Sequence, residues 1–323
     1  MNYNVIIATK DRIDNCTNFV KSLIGQSLHP TRLILVDASQ EAINLEEIIL
    51  SLLVNTMIEF VYQRTQPGLT RQRNLGLKYI SLKSEIIFFF DDDIILIDKY
   101  YIEKILRRFS MDKKNEIGSI FGKIINSKQT ADIKKGTQNI FRFVIKKIMG
   151  ILSRFFLVSS SKAYHVLPSG MNVSNQEKAA AECYVDWQPG CSMSFRREVL
   201  EKYQFDESLV GYSMREDLDM SYRVSKEYKI LYLPSAQILH LESPIQRLNA
   251  VNFGEKDIES WRWFIWKNMN TVKKKFLFYW SVTGYLILLL LSSILSNDKN
   301  AFYRFKGGLI ALSRILGLQN RDK

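Results

Sequence analysis

At 323 residues, 46% hydrophobic and 12% aromatic, the chain has enough apolar material for a large buried core, which excludes disorder as its default state. Its formal net charge of +12 suggests an anionic partner, and nucleic acid, anionic lipid and nucleotide-type substrates all meet that description. Three cysteines, Cys16, Cys183 and Cys191, are an odd number without the CxxC spacing of a zinc site, so reduced thiols are expected.

The N-terminus MNYNVIIATK has only a short apolar run before Lys10, so no secretory signal is expected and the fold should begin close to Met1. Residues 5–8 and 33–36 read as short buried strands, with a helix between them that carries Phe19, Leu23 and Ile24 at helical spacing. A third strand is expected over 57–62 and a fourth over 86–90, IIFFF. The fourth is too continuously apolar for a half-exposed strand and should lie in a sheet covered on both faces. Alternation of this kind predicts an α/β layered sheet, whose ligands gather at the carboxyl ends of the strands. The polar residues past those ends are Thr9-Lys10-Asp11-Arg12, Asp37-Ala38-Ser39 and Asp91-Asp92-Asp93. Three separate strands thus bring carboxylates to one edge.

A further strand is expected over 117–125, followed by a basic amphipathic helix over about 140–156. There Phe141, Val144, Ile145, Ile148, Leu152 and Phe155 keep helical spacing among Arg142, Lys146, Lys147 and Arg154. Such a helix packs on a core, covers a substrate cleft or lies on an anionic membrane. Glu216 and Asp217 stand where a helix should begin, and an acidic first turn is by itself ordinary dipole complementation. His240 ends an apolar strand expected over 238–241. The tail holds an aromatic cluster (Trp261, Trp263, Phe264, Trp266), then Lys273-Lys274-Lys275 and a charge-free stretch, 276–295. That stretch approaches the ~20 residues needed to span a bilayer. Positive residues flank both of its ends, which suits a helix in or beside an anionic leaflet; a buried core helix is the other reading.

Adjacent carboxylates after a buried strand suit a hard divalent cation, Mn2+ or Mg2+, held by one or two carboxylates plus phosphate oxygens. Arg71 and Arg73 in PGLTRQRNLGL follow a Pro67-Gly68 turn at the start of a helix, where a diphosphate would be favoured.

These residues together resemble the family 2 glycosyltransferases with the GT-A fold. The likeness runs over about 3–242 and rests on TKDR, VDAS, GLTRQRNLGL, FFFDDD, DWQPGCSMSFRRE, REDLDMSYR and AQILH in that order. It implies a mixed, mainly parallel sheet flanked by helices, with a catalytic domain over 1–250 and a membrane-associated helical tail over 251–323. The nucleotide-binding half would be about 1–123 and the acceptor half about 124–250. It implies that Asp91 and Asp93 form the metal-binding DxD element with Asp92 nearby, and that His240 adds a metal ligand. Thr9, Asp11, Arg12, Asp37, Ser39, Arg71, Arg73 and Asn74 would line or support the nucleotide-sugar site, together with Asp91 and Asp92. Asp217, in its pair with Glu216, would be the general base of an inverting transfer to a glycan or lipid-linked acceptor.

Asp37 is followed by Ala38 where many relatives carry two adjacent aspartates, so uridine, thymidine and guanosine donors all stay open. The tail resembles those of bacterial enzymes of cell-surface polysaccharide synthesis, which implies the cytoplasmic face of the membrane. Metal-dependent phosphatases and nucleotidyltransferases also use strand-end aspartates. However, an aspartyl phosphatase prefers Thr soon after its acidic motif, where Ile95 stands. A non-enzymatic basic membrane-binding protein is the other alternative. A nucleic-acid partner is not expected, because carboxylates on the ligand-facing edge repel phosphate.

Overall fold

The computed structural model describes residues 1–40, 44–126, 140–209, 213–243 and 248–318. In chain order the first elements are β1 (Tyr3–Thr9), α1 (Ile13–Ile24), β2 (Arg32–Asp37), α2 (Leu45–Leu53), β3 (Glu59–Arg64), α3 (Leu69–Leu77), β4 (Ile86–Asp91), β5 (Ile94–Ile95), α4 (Tyr101–Met111) and β6 (Ile117–Asn126). Then come α5 (Ile140–Phe155), β7 (His165–Val166), β8 (Asn172–Val173), β9 (Cys183–Val185), β10 (Ser192–Arg196), α6 (Arg197–Lys202), α7 (Glu216–Val224) and β11 (Lys229–His240). Three long helices follow, α8 (Ala250–Asn268), α9 (Val272–Leu295) and α10 (Lys299–Ile315). The chain divides into two compact units, one of Met1–Lys134 with Ala179–Ile245 and one of Lys135–Lys178 with Gln246–Lys323. Part of the expected acceptor half, Lys135–Lys178, therefore clusters with the tail.

The first unit is built on a mixed, mainly parallel sheet in the order β3-β2-β1-β4-β10-β6-β11-β5, with β9 paired to β11. Its register positions the site. Thr9 is opposite Asp37, Ala8 opposite Asp91, and Asp37 opposite Arg64, so four strand ends meet at one carboxyl edge. The antiparallel β5–β11 pairing sets His240 opposite Ile94, one residue from Asp93.

The aromatic run in β4 explains why that edge is rigid. Phe88 and Phe90 stack at 5.8 Å on one face, and Phe90 meets Phe19 of α1 there. Phe89 on the other face meets Phe205 edge-on at 5.3 Å. Alternate side chains of one strand thus fill both layers of the core, as the unbroken apolar run required. In α1, Cys16, Phe19, Val20 and Leu23 follow helical spacing and are all buried. The three cysteines are free.

Two strands differ from expectation. β3 starts two residues later and runs to Arg64, because Met57 is fully exposed. β11 extends over twelve residues, and its register against β6 shifts between Leu233 and Gln237. Pro234 lies within that shift, where a missing N–H is tolerated only at an irregularity of the ladder.

In the second unit, β7 and β8 form a hairpin and Trp261 of α8 is fully buried, its indole N–H donating to the Ser169 carbonyl at 2.7 Å. α9 is one helix long and apolar enough to cross a membrane.

Gln72 of α3, 5% exposed, locks the carboxyl edge of the first unit. Its amide nitrogen donates to the Thr9 carbonyl at 2.8 Å and the Val36 carbonyl at 2.9 Å, joining the ends of β1 and β2. Replacing Gln72 by Leu orphans two buried acceptors and should cost about 1–3 kcal/mol. Gln72→Glu, which sets a carboxylate against the same two carbonyls, should cost more. Thermal denaturation of both variants checks the order, and equal midpoints for wild type and Gln72→Glu would refute this bridging role.

Candidate functional site

The triplet Asp91-Asp92-Asp93 divides its labour by alternation. Asp91 ends β4 with its side chain 31% exposed, and Asp93 follows two residues later. One donor atom from each, together with one from His240, lies within 4.8 Å of the others. Two carboxylates and an imidazole this close make a donor set suited to a hard divalent cation, with the exposed side of Asp91 left for further ligands. Asp92 points elsewhere. It is 3% exposed, accepts from the Thr9 hydroxyl at 2.7 Å and from Arg12 at 3.0 Å, and so fixes the turn. Burial nonetheless pushes its pKa up to about 6 against the pull of Arg12 and Thr9.

The two ligand carboxylates differ in environment. Burial raises the pKa of Asp91, because the lowering effect of Arg73 does not offset desolvation. Burial acts on Asp93 in the same direction, but the hydrogen bond and charge of His240 and the Ser243 N–H outweigh it and hold its carboxyl below the usual range. The His240 Nε2 stands 3.2 Å from Asp93 Oδ1, and the Ser243 N–H donates to Oδ2 at 3.0 Å. His240 is desolvated too, yet Asp93 and Asp91 raise its pKa overall and favour the imidazolium.

On one side of this group lies a cluster of hydrogen-bonded polar residues at the strand ends. Asp37, 1% exposed, accepts from the Ser39 N–H at 2.8 Å, the Ser39 hydroxyl at 2.5 Å and the Tyr62 hydroxyl at 2.7 Å. The Ser39 hydroxyl accepts in turn from the Asp11 N–H at 2.8 Å, and Arg64 donates to the Ser39 carbonyl at 2.7 Å. Asp11 holds a left-handed backbone, φ 53°, a conformation that aspartate tolerates better than most residues. The structure therefore joins Thr9, Asp11, Arg12, Asp37, Ser39, Asp91, Asp92 and Asp93 through short contacts.

On the other side, Arg73 is 2% exposed and reaches three partners. It donates to Asp91 Oδ1 at 3.0 Å, Glu216 Oε1 at 3.2 Å and the Gly190 carbonyl at 2.9 Å, with its guanidinium 5.2 Å from the Phe205 ring centre. Glu216 and Asp217 open α7 directly after Arg215, whose φ of 68° is a strained left-handed conformation for a long side chain. Asp217 accepts from the Gly190 N–H at 2.9 Å and the Leu218 N–H at 2.7 Å. Burial and the Asp217 charge push the Glu216 pKa up to about 8, against Arg73. Burial also raises Asp217, against its two backbone N–H donors. Burial thus disfavours the charged form of both acids, Glu216 buried and Asp217 half-buried. Gly190 is required here by close approach, since a Cβ on it would sit 2.9 Å from Glu216 Oε1 and 3.3 Å from Arg73 Nη2.

Arg71 and Asn74 do not join this cluster. Residues 71 and 73 are two apart on a helix and face away from each other. Arg71 pairs at the surface with Glu207 at 3.8 Å, both about half exposed. Asn74 exchanges hydrogen bonds with the Phe205 backbone and donates to Glu207 at 2.9 Å, so it fastens that loop. Sequence reasoning missed Tyr62, Arg64, Gln72, Gly190 and Ser243. Gly190 had a signal, a Pro-Gly pair inside a recognised segment. Ser243 contributes only a backbone N–H, which no side-chain pattern reveals.

A family model described as Glycosyl transferase family 2 matches residues 4–167. Among solved structures, the fold is similar to that of the mannosyltransferase PcManGT from Pyrobaculum calidifontis, in complex with GDP-Man and Mn2+. The TM-score is 0.58 at 11% identity, over 99% of this chain and 88% of that one. It is also similar to residues 1–349 of TarS from S. aureus in complex with UDP-GlcNAc, with a TM-score of 0.51 at 12% identity over 99% and 93% of the two chains. No curated protein matches the sequence.

Arg71→Ala should change turnover by no more than about two-fold, as expected for an exposed ion pair. Arg73→Ala leaves Asp91 and Glu216 buried without their cation, and should abolish turnover and cost about 3–5 kcal/mol of stability. Parallel turnover assays and denaturation curves check the contrast. Equal effects of the two substitutions would contradict the division drawn here.

Proposed function

The chain belongs to glycosyl transferase family 2, and from that premise we propose that it is an inverting, metal-dependent enzyme. It moves a hexosyl or deoxyhexosyl group from a nucleotide-diphosphate sugar to a hydroxyl of a glycan or lipid-linked acceptor in cell-surface polysaccharide synthesis. The observation that carries this reading is the buried guanidinium of Arg73, which ties Asp91 of the ligand triad to the acid pair at the head of α7. The GDP-Man and UDP-GlcNAc bound by the two similar structures support a donor of this class.

Asp91, Asp93 and His240 are the residues that would hold Mn2+ or Mg2+, which when bound supplies a Lewis acid against charge growing on the departing diphosphate. Around it the chain's own groups orient the donor. Thr9 and Arg12 fix Asp92 and hence the spacing of Asp91 and Asp93, while Asp37, Ser39, Tyr62 and Asp11 form the recess for the nucleoside. Asp217 takes the proton from the acceptor hydroxyl as its oxygen attacks the anomeric carbon. The two N–H bonds from Gly190 and Leu218 aim that carboxylate. A retaining route needs a second carboxylate as nucleophile against the sugar, and the Glu216 carboxylate is occupied by Arg73. The basic composition and the apolar α9 support a working place at the cytoplasmic face of the membrane, beside anionic lipid.

Calorimetric titration of UDP, TDP and GDP, with and without Mn2+, tests the donor side. Wild type should bind one of them in a metal-dependent way, Asp93→Ala should lose that dependence, and Asp217→Asn should keep binding while losing turnover. Equal loss of binding in the two variants would contradict the base assignment. The pH profile gives an independent check. Asp217 must be ionised to accept a proton and its pKa is raised, so kcat/KM should climb with pH along a limb lying above the ordinary carboxylate range near ~4. A limb at or below that range would sink the assignment.

A further inference from the structure

We propose that α5 and α9 form one surface that lies lengthwise in an anionic leaflet and does not cross it. This rests on the membrane location argued above and goes further by fixing how the membrane is met.

Between its two ends, the most exposed residues of α9 fall on one line, with Val272, Lys273 and Leu295 also exposed at the termini. Phe276, Thr283, Ile287 and Ile294 are spaced i, i+7, i+11 and i+18, which superimposes them on a single helical face about 27 Å long. Thr283 does not break the stripe, because its hydroxyl bonds to the Tyr279 carbonyl of the same helix. Up to Leu286 the opposite face is buried, at Phe278, Ser281, Val282, Gly284 and Leu286, and from Ile287 to Leu295 every residue is at least partly exposed. A spanning helix needs an apolar surface round its circumference, whereas a helix lying in the interface needs one stripe along its length.

What covers the other face also argues against crossing. Tyr285, at the middle of the charge-free stretch, donates to Asp257 of α8 at 2.9 Å and accepts from Arg304 of α10 at 2.6 Å. Arg304 lies 3.7 Å from Asp257. Both neighbouring helices are charged along their length: α8 carries Glu255, Lys256, Glu259 and Arg262, and α10 carries Lys299, Lys306 and Arg314. If α9 crossed the bilayer, this ion-paired centre would come to the midplane with it, and ionised side chains are costly there.

α5 extends the stripe. Ile148, Ile151 and Phe155, spaced i, i+3 and i+7, are all more than half exposed. The two helices are continuous, since the rings of Phe155 and Trp280 are 5.1 Å apart and the Trp280 indole donates to the Phe155 carbonyl at 3.1 Å. Charge selects the occupant. Neither helix contains an acidic residue, while Lys147, Arg154 and Lys273 are exposed beside the apolar stripe. An apolar stripe edged by lysine, arginine and tryptophan is complementary to anionic headgroups over acyl chains.

The test uses the full chain in a Cys183→Ser background, with Thr271→Cys or Ser296→Cys at the two ends of α9. Membranes of an expressing bacterial host are treated with a membrane-impermeant maleimide. Both positions should label in inverted vesicles and neither in intact spheroplasts. Labelling of Ser296→Cys alone in spheroplasts shows that α9 crosses; it overturns this inference and leaves the membrane reading standing. A chain found only in the soluble fraction overturns both. In a second arm, Ile151→Glu with Ile287→Glu should weaken sedimentation with vesicles of phosphatidylglycerol and phosphatidylcholine about ten-fold. Circular dichroism confirms that this variant is folded, and wild type should not bind phosphatidylcholine alone. Unchanged binding overturns the inference. So does a concentration-dependent dimer that these substitutions dissolve without any vesicle binding, because the surface would then belong to a second copy.

Discussion

A guanidinium taken wholly out of water is costly unless every donor finds a partner, and Arg73 is such a group. The cost is offset only if Asp91, Glu216 and the Gly190 carbonyl all stay within hydrogen-bond reach. Those partners belong to the end of β4, the head of α7 and the turn before β10. Three segments distant in sequence are therefore fixed against one another by a single charge. The requirement extends outward. Gly190 can have no side chain, Arg215 must adopt a left-handed backbone to let α7 begin there, and α3 must present Arg73 inward.

Facing Arg73 inward has a second consequence on the same helix. Gln72 is the next residue, and it reaches beneath the sheet edge to join the ends of β1 and β2. α3 thus serves the donor recess and the acid pair with adjacent side chains, leaving Arg71 to solvent. The aspartate triplet obeys a similar logic. In the turn that follows β4, residue 92 is directed to Thr9 and Arg12, while 91 and 93 each bring a carboxylate oxygen near His240. The middle acid is the one that sets the turn, and the outer two are the ones grouped as candidate ligands.

The parts of this arrangement legible in sequence were those signalled by composition at strand ends. Asp37, Asp91 and Asp93 follow apolar runs, so their shared edge follows from α/β layering alone. From the residues alone His240 was legible only as the end of a strand, and its place beside Asp91 and Asp93 came from the family resemblance, because the contact depends on the two-residue β5. Arg64 was lost because β3 was expected to end at Tyr62; the apolar signal fades before the hydrogen-bonded ladder does. Arg71 and Arg73 look equivalent in the string TRQRN, and only the helix phase separates them. β11 was recognised at its last few residues, since Pro234 interrupts the pattern that a longer strand should show.

The second unit shows a different limit. Its aromatic cluster divides between burial and surface: Trp261 and Phe264 are fully buried, whereas Trp263 and Trp266 are partly exposed and lie near Lys267 and Lys275. Hydropathy along the chain cannot distinguish these roles, and it also treats 276–295 as uniform. Up to Leu286 the helix is in fact two-sided, and its most polar contact, Tyr285 with Asp257 and Arg304, falls near its centre. A hydrogen-bonded ion pair at the midpoint of an apolar helix is compatible with packing on one side and lipid on the other. It is not compatible with lipid all round. The length of the apolar run alone therefore does not decide how this helix is covered; the charge held at its middle restricts it.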